Sequence, residues 1–215
     1  RRADPRDAWC STYRLDEFPS GGTIGTSSLR RAAQLAAYFR ANGNNVQIMP
    51  LRGNVPTRLE KLKAGGFQAI VLAAAGLERL DLGDEICERI PVDICLPAVA
   101  QGALGIEIRQ DDEQLRVLVK DSLHCDLTAR CVEAERIFLE RLGGSCRTPI
   151  AAYAYETEGV FSLEGMVASL SGDKILREKV ESIPGESVTV AQKLAASFLV
   201  RGAKEIIEVA VRESG

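Results

Sequence analysis

Gly22-Thr23-Ile24-Gly25-Thr26-Ser27-Ser28-Leu29-Arg30-Arg31 sets the fold: a short strand runs straight into a helix. Thr26 or Ser27 is placed to cap that helix, and Leu29, Ala33, Ala36 and Ala37 form its apolar side. Downstream, residues 46–51 predict a second strand. Asn54 as cap and Pro56 in the first turn then open a second helix, which ends near Gly65-Gly66. Residues 69–75 are an uninterrupted apolar run, expected of a strand covered on both faces, and residues 92–96 predict another short strand. Strand and helix alternate, which indicates a parallel sheet with helices on both sides and ligands at the carboxyl ends of the strands. Upstream, residues 1–20 are polar and interrupted by Pro5 and Pro19, and they read as a connector into this unit.

Residues 97–101 break the alternation, 102–109 predict one more strand, and 111–121 a helix. Residues 127–142 carry apolar side chains at helical spacing, and Gly143-Gly144 supplies the left-handed residue that ends a helix. From Pro149 the texture changes. Residues 150–155, 160–170 and 174–180 alternate as strands, and an amphipathic helix over 188–211 follows. The fold class is therefore α/β, a doubly wound unit joined to a smaller C-terminal α+β domain with an antiparallel sheet, with the boundary near residues 122–126.

The chain has 215 residues, enough for one large domain or two small ones, and a net charge of −3, which argues against binding nucleic acid through a broad basic surface. No apolar run is long enough for a transmembrane helix. The six cysteines form no CxxC pair, which fits reduced thiols, and a single histidine, His124, argues against a His-rich metal site.

Two features point to chemistry. Arg30 and Arg31 fall in the first turn of the first helix, and Arg52 and Arg58 flank the start of the second. A helix N-terminus carries partial positive charge, so cations there are unfavourable unless an anion joins them. Arg109, at the end of its predicted strand, can add to the group. Together they suggest a ligand with several carboxylates or phosphates, walled by Ala73-Ala74-Ala75-Gly76-Leu77. The second feature is Cys146, on the loop after the long helix beside Arg147, whose charge favours the nucleophilic thiolate.

Gly25-Thr26-Ser27-Ser28-Leu29-Arg30-Arg31, Leu51-Arg52-Gly53-Asn54 with Thr57-Arg58-Leu59, Leu72 to Leu77, Leu96 to Ala103, Ile106-Glu107-Ile108-Arg109 and Gly144-Ser145-Cys146 occur in the order of one family. On these motifs the chain resembles the porphobilinogen deaminases, or hydroxymethylbilane synthases. The resemblance implies an enzyme of tetrapyrrole synthesis in three domains, the first two like the halves of a periplasmic binding protein. Residues 1–98 would form domain 2, residues 99–121 a segment returning to domain 1, and residues 122–215 domain 3. It implies a dipyrromethane cofactor held by Cys146 through a thioether, onto which four porphobilinogen units condense head to tail. Each loses ammonia to give an electrophilic azafulvene, and hydrolysis then releases hydroxymethylbilane. Thr26, Ser28, Arg30, Arg31, Arg52, Gly53, Arg58 and Ala74 would bind the cofactor's side chains. Arg31, Arg58, Gln101 and Arg109 would bind substrate, and Arg31 would assist deamination. The implied partner is the small molecule porphobilinogen, with no nucleic acid, membrane or metal, in a monomer of the cytoplasm or a plastid.

The sequence departs from the family pattern in three places. The family's N-terminal segment with its catalytic aspartate is not among these residues, so this polypeptide alone is expected not to polymerise porphobilinogen. An inactive relative, or an anion-binding module of the periplasmic-receptor type, is the alternative expectation. Ser122-Leu123-His124-Cys125 shifts the family's histidine by one place, and Pro56 stands where a small residue is common. The lack of a GxGxxG or GxxxxGK[ST] loop argues against a nucleotide site.

Overall fold

The computed structural model describes residues 1–145 and 148–213. Its first unit is a sheet of five strands: β1 (Asp7–Ser11), β2 (Thr23–Gly25), β3 (Gln47–Met49), β4 (Ala69–Ala73) and β5 (Glu88–Arg89), in the order β3-β2-β4-β1-β5. β2 is parallel to both β3 and β4, whereas β1 is antiparallel to both β4 and β5. The sheet is thus mixed rather than parallel. Residues 7–11, expected to lie in a connector, form one of its inner strands.

The physical reason is burial on both faces. Ala8 and Cys10 point to one side of β1 with Leu59 and Leu77, while Trp9 points to the other with Leu35 and Phe39. Helix α1 (Leu29–Ala41) covers the Trp9 face; α2 (Val55–Lys63) and α3 (Ala74–Glu78) cover the other. Ser28, one residue later than expected, caps α1 by accepting from Arg31 N, and Asn54 caps α2 with Pro56 in the first turn, as the sequence predicts. Two predicted strands do not form. Residues 92–96 are a turn that returns the chain to α1, and residues 102–109 find no neighbouring strand among the described residues to satisfy their backbone groups. The following helix α4 (Glu113–Leu123) buries no residue.

The C-terminal unit is the antiparallel sheet β6 (Ile150–Thr157), β7 (Val160–Ala168) and β8 (Ile175–Ser182), in sequence order. Helices α5 (Asp126–Arg141), α6 (Ser187–Val200) and α7 (Ala203–Glu213) pack around a core that includes Phe138 and Phe198, whose rings meet edge to face at 5.1 Å. The single helix expected over 188–211 is two, because Gly202 takes a left-handed conformation (φ 86°) between them. Among the described residues no helix is long and apolar enough to cross a membrane.

The two units share an interface built on α1. Ala151, Met166 and Ala168 on the free face of the small sheet pack with Ala33 of α1 and Leu96. Beyond β7 the turn at Gly172 (φ 67°) comes so close to α1 that a Cβ there would lie 2.1 Å from the carbonyl oxygen of Ala33. Arg40, near the end of α1, donates to the carbonyls of Ser171 and Gly172. Gly172→Ala meets both a left-handed backbone and this contact. The expected outcome is a loss of about 1–3 kcal/mol in urea unfolding, whereas Gly43→Ala, left-handed but in open space, loses only the smaller backbone share.

Candidate functional site

The parallel pairing of β2 with β3 and β4 puts the starts of α1, α2 and α3 on one edge of the sheet. The strand-to-helix turn is pinned to its neighbour: Thr26 N donates to Met49 O at 2.9 Å, and Ser27 Oγ donates to Leu51 O at 2.9 Å. Ser28 N donates to Thr26 Oγ1, which leaves the buried Thr26 hydroxyl part of the turn. Neither α1 nor α2 has an acidic residue in its first turn.

The carboxylate that these helix starts lack comes from β1. Because β1 runs antiparallel, its first residue, Asp7, pairs with the last residue of β4, Ala73, and so stands on the edge where the helices begin. Asp7 is completely buried. Arg30 donates to it from NH1 at 2.7 Å and from NH2 at 3.2 Å; Arg31 donates from Nε at 2.9 Å and pairs through NH2 at 2.7 Å. Burial alone would raise the Asp7 carboxyl, but the two guanidinium groups outweigh it and hold the acid well below the usual carboxylate range. Arg30 is held above its ordinary value, burial being outweighed by the same carboxylate. Cys95, fully buried, donates its thiol to Asp7 at 3.3 Å, and burial with that carboxylate pushes it up to about 12, so it stays protonated.

The predicted site residues divide accordingly. Arg30 is enclosed, also giving NH1 to Leu96 O at 2.7 Å and NH2 to Gln101 Oε1 at 3.4 Å. Gln101 serves the same cluster, donating to Asp7 at 2.9 Å and to Pro5 O at 2.6 Å. Arg31 keeps a small exposed surface. Half-buried Arg58 donates Nε to Gly53 O at 2.7 Å, and its pKa is lowered by partial burial and then by the like charge of Arg31. Gly53 (φ 125°) makes the turn that presents this carbonyl, a conformation that favours glycine. Arg52 is exposed beside it. Ala74 is buried at the start of α3. Arg109 is exposed on the segment before α4, and no contact joins it to the other arginines among the described residues. Of the expected ring, then, Arg30 and Arg31 are buried against Asp7, Arg52 and the half-buried Arg58 lie at the start of α2 on the same sheet edge, and Arg109 is exposed ahead of α4.

Cys146 and Arg147 lie outside the described residues. On either side the chain is fixed: Ser145 N donates to Thr148 Oγ1 at 2.9 Å, and Thr148 Oγ1 donates to Ser145 O at 2.7 Å. A Cβ on Gly144 would lie 2.5 Å from both Leu139 Cδ1 and Ile150 Cδ1, so any larger residue here would have to push those two side-chain ends aside. Among the described residues no cluster of His, Cys, Asp and Glu could hold a metal ion, and His124 pairs only with Asp126, at the surface.

Two carboxylates were missed in the sequence. Asp7 sat in a stretch read as a connector; the apolar triplet Ala8-Trp9-Cys10 behind it was the available signal. Glu135, fully buried on α5, gave none: it accepts from Ala100 N at 2.6 Å and Ala154 N at 2.8 Å and pairs with Arg2 at 2.5 Å. Asp7 has a testable signature. Its folded pKa lies below the unfolded value of about 3.9, so its stabilisation is complete above about pH 5 and is lost as pH falls towards the folded value. Asp7→Asn should cost about 3–5 kcal/mol at pH 7 and flatten the acid limb of the stability curve. The difference between the two proteins isolates Asp7 from Glu135, whose raised pKa, due to burial, has the opposite slope.

The family description "Porphobilinogen deaminase, dipyromethane cofactor binding domain" matches residues 1–117, and "Porphobilinogen deaminase, C-terminal domain" matches residues 129–200. The chain is 47% identical over 208 residues to the porphobilinogen deaminase of Nitrosomonas europaea, covering 96% of this chain and 66% of that protein. It is 46% identical over 216 residues to that of Moorella thermoacetica (100% and 67%), and 42% identical over 212 residues to that of Synechococcus elongatus (96% and 65%). The chain thus spans about two thirds of the length of these relatives.

Proposed function

The chain belongs to the porphobilinogen deaminase family, and we propose that it serves the reaction of a hydroxymethylbilane synthase. That reaction is a transferase step in tetrapyrrole synthesis: four porphobilinogen units condense head to tail with loss of ammonia, and water releases hydroxymethylbilane. The observation that carries this reading is that Arg31, Arg52 and Arg58 stand at or beside capped helix starts on one edge of the sheet, where Arg58 has no anionic partner among the described residues. Cations gathered at helix starts suit a ligand that brings carboxylates, and each pyrrole unit brings an acetate and a propionate.

The same donor set fits a dipyrromethane cofactor. Arg31, Arg52 and Arg58 would hold its carboxylates with Thr26 and Ser28 at the turn, and Gly53 and Ala74 would line the approach. Cys146 would carry the thioether. When bound, the cofactor supplies a nucleophilic pyrrole carbon. The chain's own residues bind and orient: the guanidinium groups fix each ring by its side chains, and Arg31, which keeps its charge, assists deamination by holding the ring in place. In this reading Arg30 and Gln101 act through Asp7 rather than on the ligand.

We extend the reading to domains. Residues 1–98 correspond to one half of a periplasmic-receptor-like pair and residues 122–215 to the C-terminal domain. Residues 99–121 reach towards a further unit, a role suited by Leu104 and Leu118, which are 75% and 61% exposed. Intact-mass measurement tests the function directly. Protein produced in cells making porphobilinogen should carry the mass of two pyrrole units, and Cys146→Ser should lack it; an unmodified wild type would refute the attachment.

A further inference from the structure

We propose that Asp7 is a positioning residue for the anion site, holding the Arg31 guanidinium so that its remaining N–H groups meet a substrate carboxylate. The inference rests on the reading of this site as one for pyrrole carboxylates, and it concerns a residue that touches no ligand.

One carboxylate faces two guanidinium groups, so the buried cluster of Asp7, Arg30 and Arg31 keeps one positive charge. The hydrogen bonds decide where that charge is presented. Arg30 is used up inside the fold, by Asp7, Leu96 O and Gln101. Arg31 donates Nε to Asp7 and NH1 to Val71 O at 3.0 Å, and its NH2 forms an ion pair with Asp7 at 2.7 Å. Of the five N–H bonds of a guanidinium, the others make no hydrogen bond among the described residues, and the side chain keeps a small exposed surface.

Asp7 itself is held from every side. Oδ1 accepts from Arg31, Arg30 and Gln101, and Oδ2 accepts from Arg30 and the Cys95 thiol. A carboxylate so saturated has no capacity left to accept from a ligand or to carry a proton. What it does have is a fixed place, set by the antiparallel β1, from which it holds the Arg31 guanidinium by one N–H bond and one close ion-pair contact. A flexible arginine ordered before the ligand arrives loses less on binding.

If Asp7 only neutralised a buried charge, removing its charge would make the site more positive and bind an anion more tightly. Positioning predicts the reverse. The test is calorimetric titration of porphobilinogen into the 215-residue protein, with folding of each variant checked by circular dichroism. The wild type should bind, and Arg58→Ala should weaken binding by about tenfold or more. Asp7→Glu, which keeps the charge but moves it by one methylene, should weaken binding by about tenfold, and Asp7→Asn should weaken it despite the added positive charge. Should Asp7→Asn fail to fold, Gln101→Leu, which removes the amide from Asp7 without changing charge, should weaken binding by a few-fold. The Arg31 Nε–H signal in nitrogen–proton NMR should shift or exchange faster in every Asp7 variant that folds. Unchanged or tighter binding in Asp7→Glu and Asp7→Asn, with Arg58→Ala impaired, overturns the positioning role alone. A wild type that binds no porphobilinogen overturns the site reading and this inference with it.

Discussion

The contact on which the architecture depends is the buried carboxylate of Asp7 between Arg30 and Arg31. Two arginines in the first turn of a helix oppose the helix dipole, and burying them would be prohibitive without a counter-charge. Asp7 removes most of that cost but not all of it, since one carboxylate cannot balance two cations. The residual charge lies at the sheet edge where three helices begin.

Helix α1 transmits this arrangement to the rest of the molecule. It lies between the five-stranded sheet and the small antiparallel sheet, with Trp9 and Phe39 on one side and Met166 and Ala168 reaching Ala33 on another. Gly172 lets the two backbones touch, and Arg40 ties the turn to the helix end. Glu135 adds a second tie, joining α5 to Arg2, Ala100 and β6. Ala100 holds a left-handed conformation (φ 60°) at this junction, and Glu135 accepts its N–H. The C-terminal unit, which carries Cys146, is thereby referenced to the helix that carries the arginines.

Elements with a strong local signal were legible in advance. The apolar run of β4, the capped starts of α1 and α2, the long α5 and the alternating strands β6 to β8 all lie within a few residues of where periodicity and caps put them. Elements whose stability comes from distant partners were not. β1 is five residues of ordinary composition that become a strand only because β4 and β5 offer it two edges. Residues 102–109 have a strand's sequence and no edge to join.

From the sequence by itself came the family, the order of its motifs, the two sheets and the arginines set at helix starts, because each of these is written in contiguous residues with a local physical cause. Tertiary structure alone decided which of those arginines are enclosed and which stay exposed. That outcome turns on the direction of β1, which carries Asp7 to the same edge from a strand far away in sequence, and no local pattern encodes the meeting of charges brought together by a sheet.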